Sequence, residues 1–265
     1  MKFSRVLAVL TLCVAFVFGA GLKVHSFTGA SGSVSNILEF DEFLILVDPQ
    51  ETVKSERALN RFIETLNKPL EAVILATHPI SSGVYEGVPT YGTRAMDEFV
   101  ASGKVQFFID LFGEIFKEDM IRESMRVTNF LEDGKNVING VSFIIHSNDN
   151  AFPPEIDFEI EGQSIYFTHI AADNSHYFIS SRDAIKEQIK KWENVKKKGH
   201  GTILSSHMTA VSSSGVEFVI EYLKTAQNLL NKNLGKEAFI SEMKRAYPAA
   251  KQTQFLEMSA NNLYK

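Results

Sequence analysis

A chain of 265 residues, 45% hydrophobic and 22% charged, is long enough to bury a large core and too evenly mixed to be disordered or fibrous. Its formal net charge of −5, with no basic stripe interleaved with aromatics, excludes a general nucleic-acid binder. A single cysteine, Cys13, excludes an intramolecular disulfide framework and any cysteine-cluster metal site.

Lys2 and Arg5 precede an almost unbroken apolar stretch over residues 6–18, followed by Gly19, Ala20 and Gly21. A positive start, an apolar run and small residues form the pattern of a secretory signal peptide, placed here at residues 1–20. The run is shorter than the roughly 20 residues that cross a bilayer comfortably. The expectation is therefore removal on export to the periplasm or outside the cell, with no permanent membrane span. Cys13 lies inside this segment, so the mature chain would have no thiol for catalysis.

Residues 22–28 alternate as a strand, and Gly29, Ala30, Ser31, Gly32 and Ser33 form a turn-rich break. That break lacks the lysine of a phosphate-binding loop. Residues 34–40 and 43–47 read as a hairpin joined at Asp41 and Glu42, closed by Asp48-Pro49 because proline has no ladder donor. Residues 52–66 turn helical, with Leu59, Phe62, Ile63 and Leu66 on one face and Lys54, Glu56, Arg57 and Glu64 largely elsewhere. Lys68-Pro69 stops that helix, and a strand over residues 71–76 follows. Its apolar run is that of a strand covered on both faces. It delivers Thr77-His78-Pro79, then Ile80, Ser81, Ser82 and Gly83, at the end where a layered α/β protein places a site.

Residues 88–93 read as a short strand or loop and residues 94–101 as a helix. The helix over residues 105–116 carries Phe107, Phe108, Phe112 and Phe116, a spacing expected to press on a core. Strands are expected over residues 126–131 and 141–146, with turns at residues 132–135 and at Asn139-Gly140. Residues 156–160 and 164–168 flank the hairpin signal Glu161-Gly162, and residues 177–179 read as a further strand. An amphipathic helix over residues 183–195 ends at Gly199-His200-Gly201, and its lysine run reads as a solvated last turn favoured by the helix dipole. Residues 202–206 form a strand that delivers His207. Residues 215–230, 236–246 and 254–262 form a helical tail, and nothing divides residues 21–265 into separate domains.

The order of strands, helix, strand and Thr77-His78 loop resembles the start of the metallo-β-lactamase fold superfamily, whose loop reads Thr-His-x-His-x-Asp-His. The resemblance covers roughly residues 22–210. It implies an α/β fold: a four-layer αββα sandwich of metallo-β-lactamase type, here with a C-terminal helical extension. Asn36 and Asp48 match family positions that fix loops beneath a metal site. The family's chemistry uses zinc to bring the pKa of a bound water toward neutrality, on ligands that are histidines and carboxylates.

Residue by residue, His78 matches the first loop histidine. Ile80, Ser82 and Gly83 stand where the pattern wants His, Asp and His. The segment from Thr168 to Asn174 resembles the region through the family's Gly-His-Thr, with Asp173 at the histidine's place. His169 and Asp183 are additional candidates, and His207 matches the last histidine. The resemblance thus implies an exported protein with a degenerate metal site, a non-catalytic binding or interaction module. Its cleft would be lined by His78, Ser81, Ser82, Asp173 and His207, and its partner would be a small molecule or an envelope protein. The alternative is a metal-dependent hydrolase of an ester, lactone or lactam, with one zinc on His78, Asp173 and His207. No cofactor is expected in the first case and zinc in the second. No residue is assigned a catalytic role. Ser81 and Ser82 have no Gly-x-Ser-x-Gly elbow and no identified base.

Overall fold

Pairing between neighbours in the chain builds most of the first half. A computed structural model describes residues 13–17, 21–208 and 211–265, in two compact units, Met1–Gln163 and Ser164–Lys265. The signal-peptide segment lies outside the described residues except for residues 13–17, which form strand β1 (Cys13–Val17). No helix among the described residues is long and apolar enough to cross a membrane.

In the first unit, β1 is followed by β2 (Lys23–Thr28), β3 (Val34–Glu39), β4 (Leu44–Val47), β5 (Leu70–Ile74), β6 (Thr90–Gly92) and β7 (Asn129–Phe130). They lie in that order across one sheet. The pairs through β4 are antiparallel and those from β4 to β7 are parallel. The change falls where α1 (Val53–Thr65) separates β4 from β5, because a parallel neighbour needs a crossover that a tight turn cannot make. All four residues of β4 and residues 72–76 are wholly buried, the reason these stretches carry apolar residues without alternation. Phe27, Leu46, Leu59, Val73, Met96 and Ile109 belong to the core of this unit.

Two helices stand between β6 and β7 in the chain, α2 (Arg94–Ala101) and α3 (Gln106–Phe116). Thr93 caps α2 by accepting the Met96 N–H at 3.1 Å. The phenylalanine-rich α3 is apolar on two faces. Phe108, Phe112 and Phe116 pack on the core as expected, but Phe107, Leu111 and Ile115 are 57%, 47% and 65% exposed. The strand expected over residues 126–131 shortens to β7. Arg126 and the Val127 N–H are instead held by the Asp97 carboxylate.

An antiparallel meander follows, β8 (Gly134–Ile138), β9 (Val141–Asn148) and β10 (Glu155–Ile160). Asn139 and Gly140, at φ 47° and 79°, make the β8–β9 turn with the two left-handed residues a tight hairpin demands. The turn expected at residues 132–135 is only half present. Gly134 and Lys135 already pair with Ile145 and Ile144, so cross-strand pairing overrides the local Asp-Gly signal.

In the second unit, β11 (Ile165–Thr168) runs parallel to β12 (Thr202–Ser205), with α4 (Ala184–Lys198) as their connection. β13 (Val211–Ser212) pairs with β12, and α5 (Ser213–Asn231), α6 (Lys236–Ala246) and α7 (Thr253–Leu263) complete the chain. Gly199, at φ 74°, ends α4 by donating its N–H to the Val195 and Lys196 carbonyls. The three helices are core rather than appendage: Tyr222, Phe239 and Leu256 are wholly buried with Trp192 of α4. No strand forms at residues 177–179. Tyr177 and Ile179 are buried, but the Ile179 N–H goes to Ser259 Oγ of α7 and the Tyr177 hydroxyl accepts the Trp192 ring N–H.

A charge cluster centred on buried Glu39 ties strand ends of the first sheet together. Glu39 of β3 takes Lys68 Nζ at 2.8 Å and Lys23 Nζ at 3.4 Å, and lies 2.7 Å from His25 Nε2. Burial pushes the Glu39 carboxyl up, but Lys68, His25 and Lys23 together outweigh it and hold the pKa at about 2. The folded value is depressed, so its stabilisation is present above the ordinary glutamate range and is lost as pH falls toward 2. Glu39→Gln is expected to cost roughly 2 kcal/mol at neutral pH and to flatten the stability curve between about pH 4.5 and 2. Urea unfolding across that range, read by circular dichroism, checks it.

Candidate functional site

The loop that leaves β5 has no ladder to hold it, so its backbone N–H groups need acceptors from elsewhere. Asp48, at the end of β4 and wholly buried, supplies one atom for three of them. Its Oδ1 accepts the N–H groups of Ala76, Thr77 and His78 at 2.8, 2.9 and 3.1 Å. Asp48 sits at φ 52°, a left-handed conformation that aspartate tolerates better than most residues. Asn36, next door on β3, accepts Ser26 Oγ at 2.7 Å. The role that the family resemblance implied for Asp48, fixing the loop, is thus visible in its hydrogen bonds.

Further along the loop, the substituted positions are engaged in other work. Ile80 is buried and forms an isolated antiparallel bridge with Ser124. Ser82 is bound at its N–H and its hydroxyl by the Glu56 carboxylate, the N–H lying 3.0 and 3.2 Å from the two oxygens. Gly83 sits at φ 84°, where a histidine would be strained although there is open space for its Cβ. Glu56 was expected off the buried face of α1, yet it is wholly buried. Its place in the first helical turn, near the positive end of the dipole, suits a carboxylate. Ser81 and Ser82 line a cavity of about 280 Å³ with Tyr85, Glu86, Glu123 and Arg126. Tyr85 is buried, and desolvation, with the Glu56 charge beside it, pushes its phenol well above the ordinary range.

His78 itself is half-buried, with its Nδ1 3.4 Å from Glu51 Oε1. The other oxygen of Glu51 accepts the hydroxyls of Ser31 and Ser33 at 2.7 and 2.5 Å.

In the second unit, the ends of β11 and β12 deliver two imidazoles side by side. The parallel register sets Thr168 opposite Ser205, so the chain ends beyond them emerge together. His169 Nε2 and His207 Nε2 are 3.0 Å apart, their rings tilted by 48°. Buried Ser205 fixes both. Its hydroxyl donates to the His169 carbonyl at 2.9 Å and accepts the His207 N–H at 3.2 Å, while the Ser206 N–H also binds the His169 carbonyl. Phe255 of α7 meets the His207 ring edge-on at 6.1 Å. Two ring nitrogens at this separation suit either one N–H···N hydrogen bond or two donors to one cation. Asp173, the donor expected beside His207, is exposed on the segment after β11.

Sequence reasoning thus singled out His78, Ser81, Ser82, Asp173 and His207 and left His169 as a lesser candidate. It missed Ser205, Glu51 and the burial of Glu56. The equivalent ends of two parallel strands were the available signal for pairing His169 with His207.

No family model matches the chain, and no curated protein does. Solved structures do match. The crystal structure of DIM-1 metallo-beta-lactamase is similar with a TM-score of 0.57 at 11% identity, covering 83% of this chain and 100% of that one. The metallo-beta-lactamase IND-7 matches with a TM-score of 0.57 at 17% identity, covering 80% and 98%. A double mutant of the sec-alkyl sulfatase PisA1 matches with a TM-score of 0.63 at 14% identity, covering 91% of this chain and 49% of that one.

Removing the Asp48 acceptor leaves three N–H groups without it, two of them on buried residues. Asp48→Ala is expected to destabilise the protein by roughly 3 kcal/mol and Asp48→Asn by clearly less, since asparagine keeps an oxygen and tolerates the left-handed backbone. Urea unfolding measures the loss. Amide exchange at Ala76, Thr77 and His78 should rise in Asp48→Ala and not elsewhere in the sheet.

Proposed function

We propose that this chain, an α/β protein with the metallo-β-lactamase fold, has exchanged the family's two-metal centre for a reduced site that takes one divalent cation on imidazole nitrogens and works as a binding or interaction module. The observation that carries this is a contrast between two sets of residues. Ile80, Ser82 and Gly83 are committed to packing, to Glu56 and to a left-handed turn, while the Nε2 atoms of His169 and His207 stand 3.0 Å apart.

The donor chemistry fits a single borderline-soft ion such as zinc. Imidazole suits zinc, and a binding site needs few protein donors if positions remain for water or ligand. His169 and His207 would hold the ion. Asp173, exposed on the segment after β11, remains a further candidate donor. Ser205 keeps both imidazoles in place through backbone contacts. When bound, such an ion would polarise a ligand oxygen or lower the pKa of a water.

The second reading, hydrolysis of an ester, lactone or lactam, is favoured by the same imidazole pair, because one ion with an open position suffices for a bound water. Export is part of the proposal and rests on Lys2, Arg5 and the apolar residues that follow them.

Zinc titration of the full chain against a chromophoric competitor tests the proposal. One equivalent should bind, His169→Ala and His207→Ala should each weaken it at least tenfold, and Ser82→Ala should leave it unchanged. Two tight equivalents would restore a dinuclear centre and sink the proposal; no bound zinc would remove the metal altogether. Turnover of a lactone or lactam panel by the one-zinc protein, lost in His207→Ala, would establish the hydrolase instead.

A further inference from the structure

The turn-rich run from Gly29 to Ser33, which has no phosphate-binding lysine, has a different occupant. Glu51, 5% exposed and two residues ahead of α1, places one carboxylate oxygen against the hydroxyls of Ser31 and Ser33. The run is itself fixed. Gln50 Nε2 donates to the Ser33 carbonyl at 3.3 Å and to Ser35 Oγ at 2.9 Å, and the Ala30 N–H donates to Ser55 Oγ at 3.0 Å. A Cβ at Gly29 would lie 1.6 Å from Gln50 Oε1, so a larger residue there would displace the Gln50 side chain. With one oxygen engaged by two hydroxyls, the other is left 3.4 Å from His78 Nδ1.

His78 Nδ1 is sealed from solvent. A neutral imidazole carries a proton on one ring nitrogen and a lone pair on the other. A lone pair on Nδ1 would face the Glu51 oxygen with no water between them, and that repulsion is poorly screened away from solvent. A proton on Nδ1 turns the same contact into an attraction.

We infer that Glu51 is a positioning residue for His78: its carboxylate, seated on Ser31 and Ser33, keeps the imidazole proton on Nδ1 and the lone pair on Nε2. A carboxylate that faces one ring nitrogen fixes the tautomer and orientation of the imidazole.

Long-range proton–nitrogen NMR of the metal-free full chain, at a pH where the ring is neutral, reads the tautomer directly. His78 is assigned by comparison with His78→Gln. The wild type should show the Nδ1–H form, Glu51→Gln should retain it through its amide oxygen, and Glu51→Ala should move His78 toward the Nε2–H form. The double variant Ser31→Ala/Ser33→Ala should shift it in the same direction, and it carries the test if Glu51→Ala does not fold. An Nε2–H wild type, or a tautomer unmoved in both the Glu51→Ala and the double variant, would overturn the inference.

Discussion

The first unit depends on one carboxylate oxygen receiving three backbone N–H groups. Asp48 directly follows the buried strand β4, in a left-handed conformation, and takes the amides of Ala76, Thr77 and His78. That anchor fixes the backbone of three successive residues just after β5. A charged acceptor shared among several donors is stronger than the same bonds to neutral oxygens, and burial raises the cost of losing it.

Carboxylates also organise the rest of the loop. Glu56, from the first turn of α1, clasps Ser82 by backbone and hydroxyl, and Glu51, just before the same helix, faces His78. The connection between β4 and α1 and the first turn of α1 together therefore supply much of the polar support of the loop. The loop is thus held near both ends by protein carboxylates.

The second unit solves a related problem with a hydroxyl. Ser205, buried at the end of β12, bridges the strand ends so that His169 and His207 face one another. The three C-terminal helices support this arrangement by enclosing Trp192 and Tyr222, and α7 brings Phe255 against the His207 ring. The polar pair is thus set against an apolar backing, a setting in which an imidazole's orientation is well defined.

Periodicity and punctuation determined a great deal by themselves. The β3–β4 hairpin, α1, α2, α6 and the strand ends bearing His78 and His207 were legible because Pro49, Pro69, Gly199 and alternating or helical spacing are local signals. The residues that follow His78 in the loop, Ile80, Ser82 and Gly83, were legible too, since that needs only residue identity. Other features were decided by tertiary structure. Gly134 and Lys135 joined β8 because they pair with Ile145 and Ile144 across the hairpin, and Tyr177 to Ile179 formed no strand because Trp192 and Ser259, from helices further along the chain, take their polar groups. Glu56 looks like a solvated helix residue until Ser82 arrives from 26 positions away to bind it. The His169–His207 pair exists because parallel register, a long-range property, sets Thr168 opposite Ser205. Local chemistry fixed which residues stand at the strand ends; only the packing of distant segments decided what each one faces.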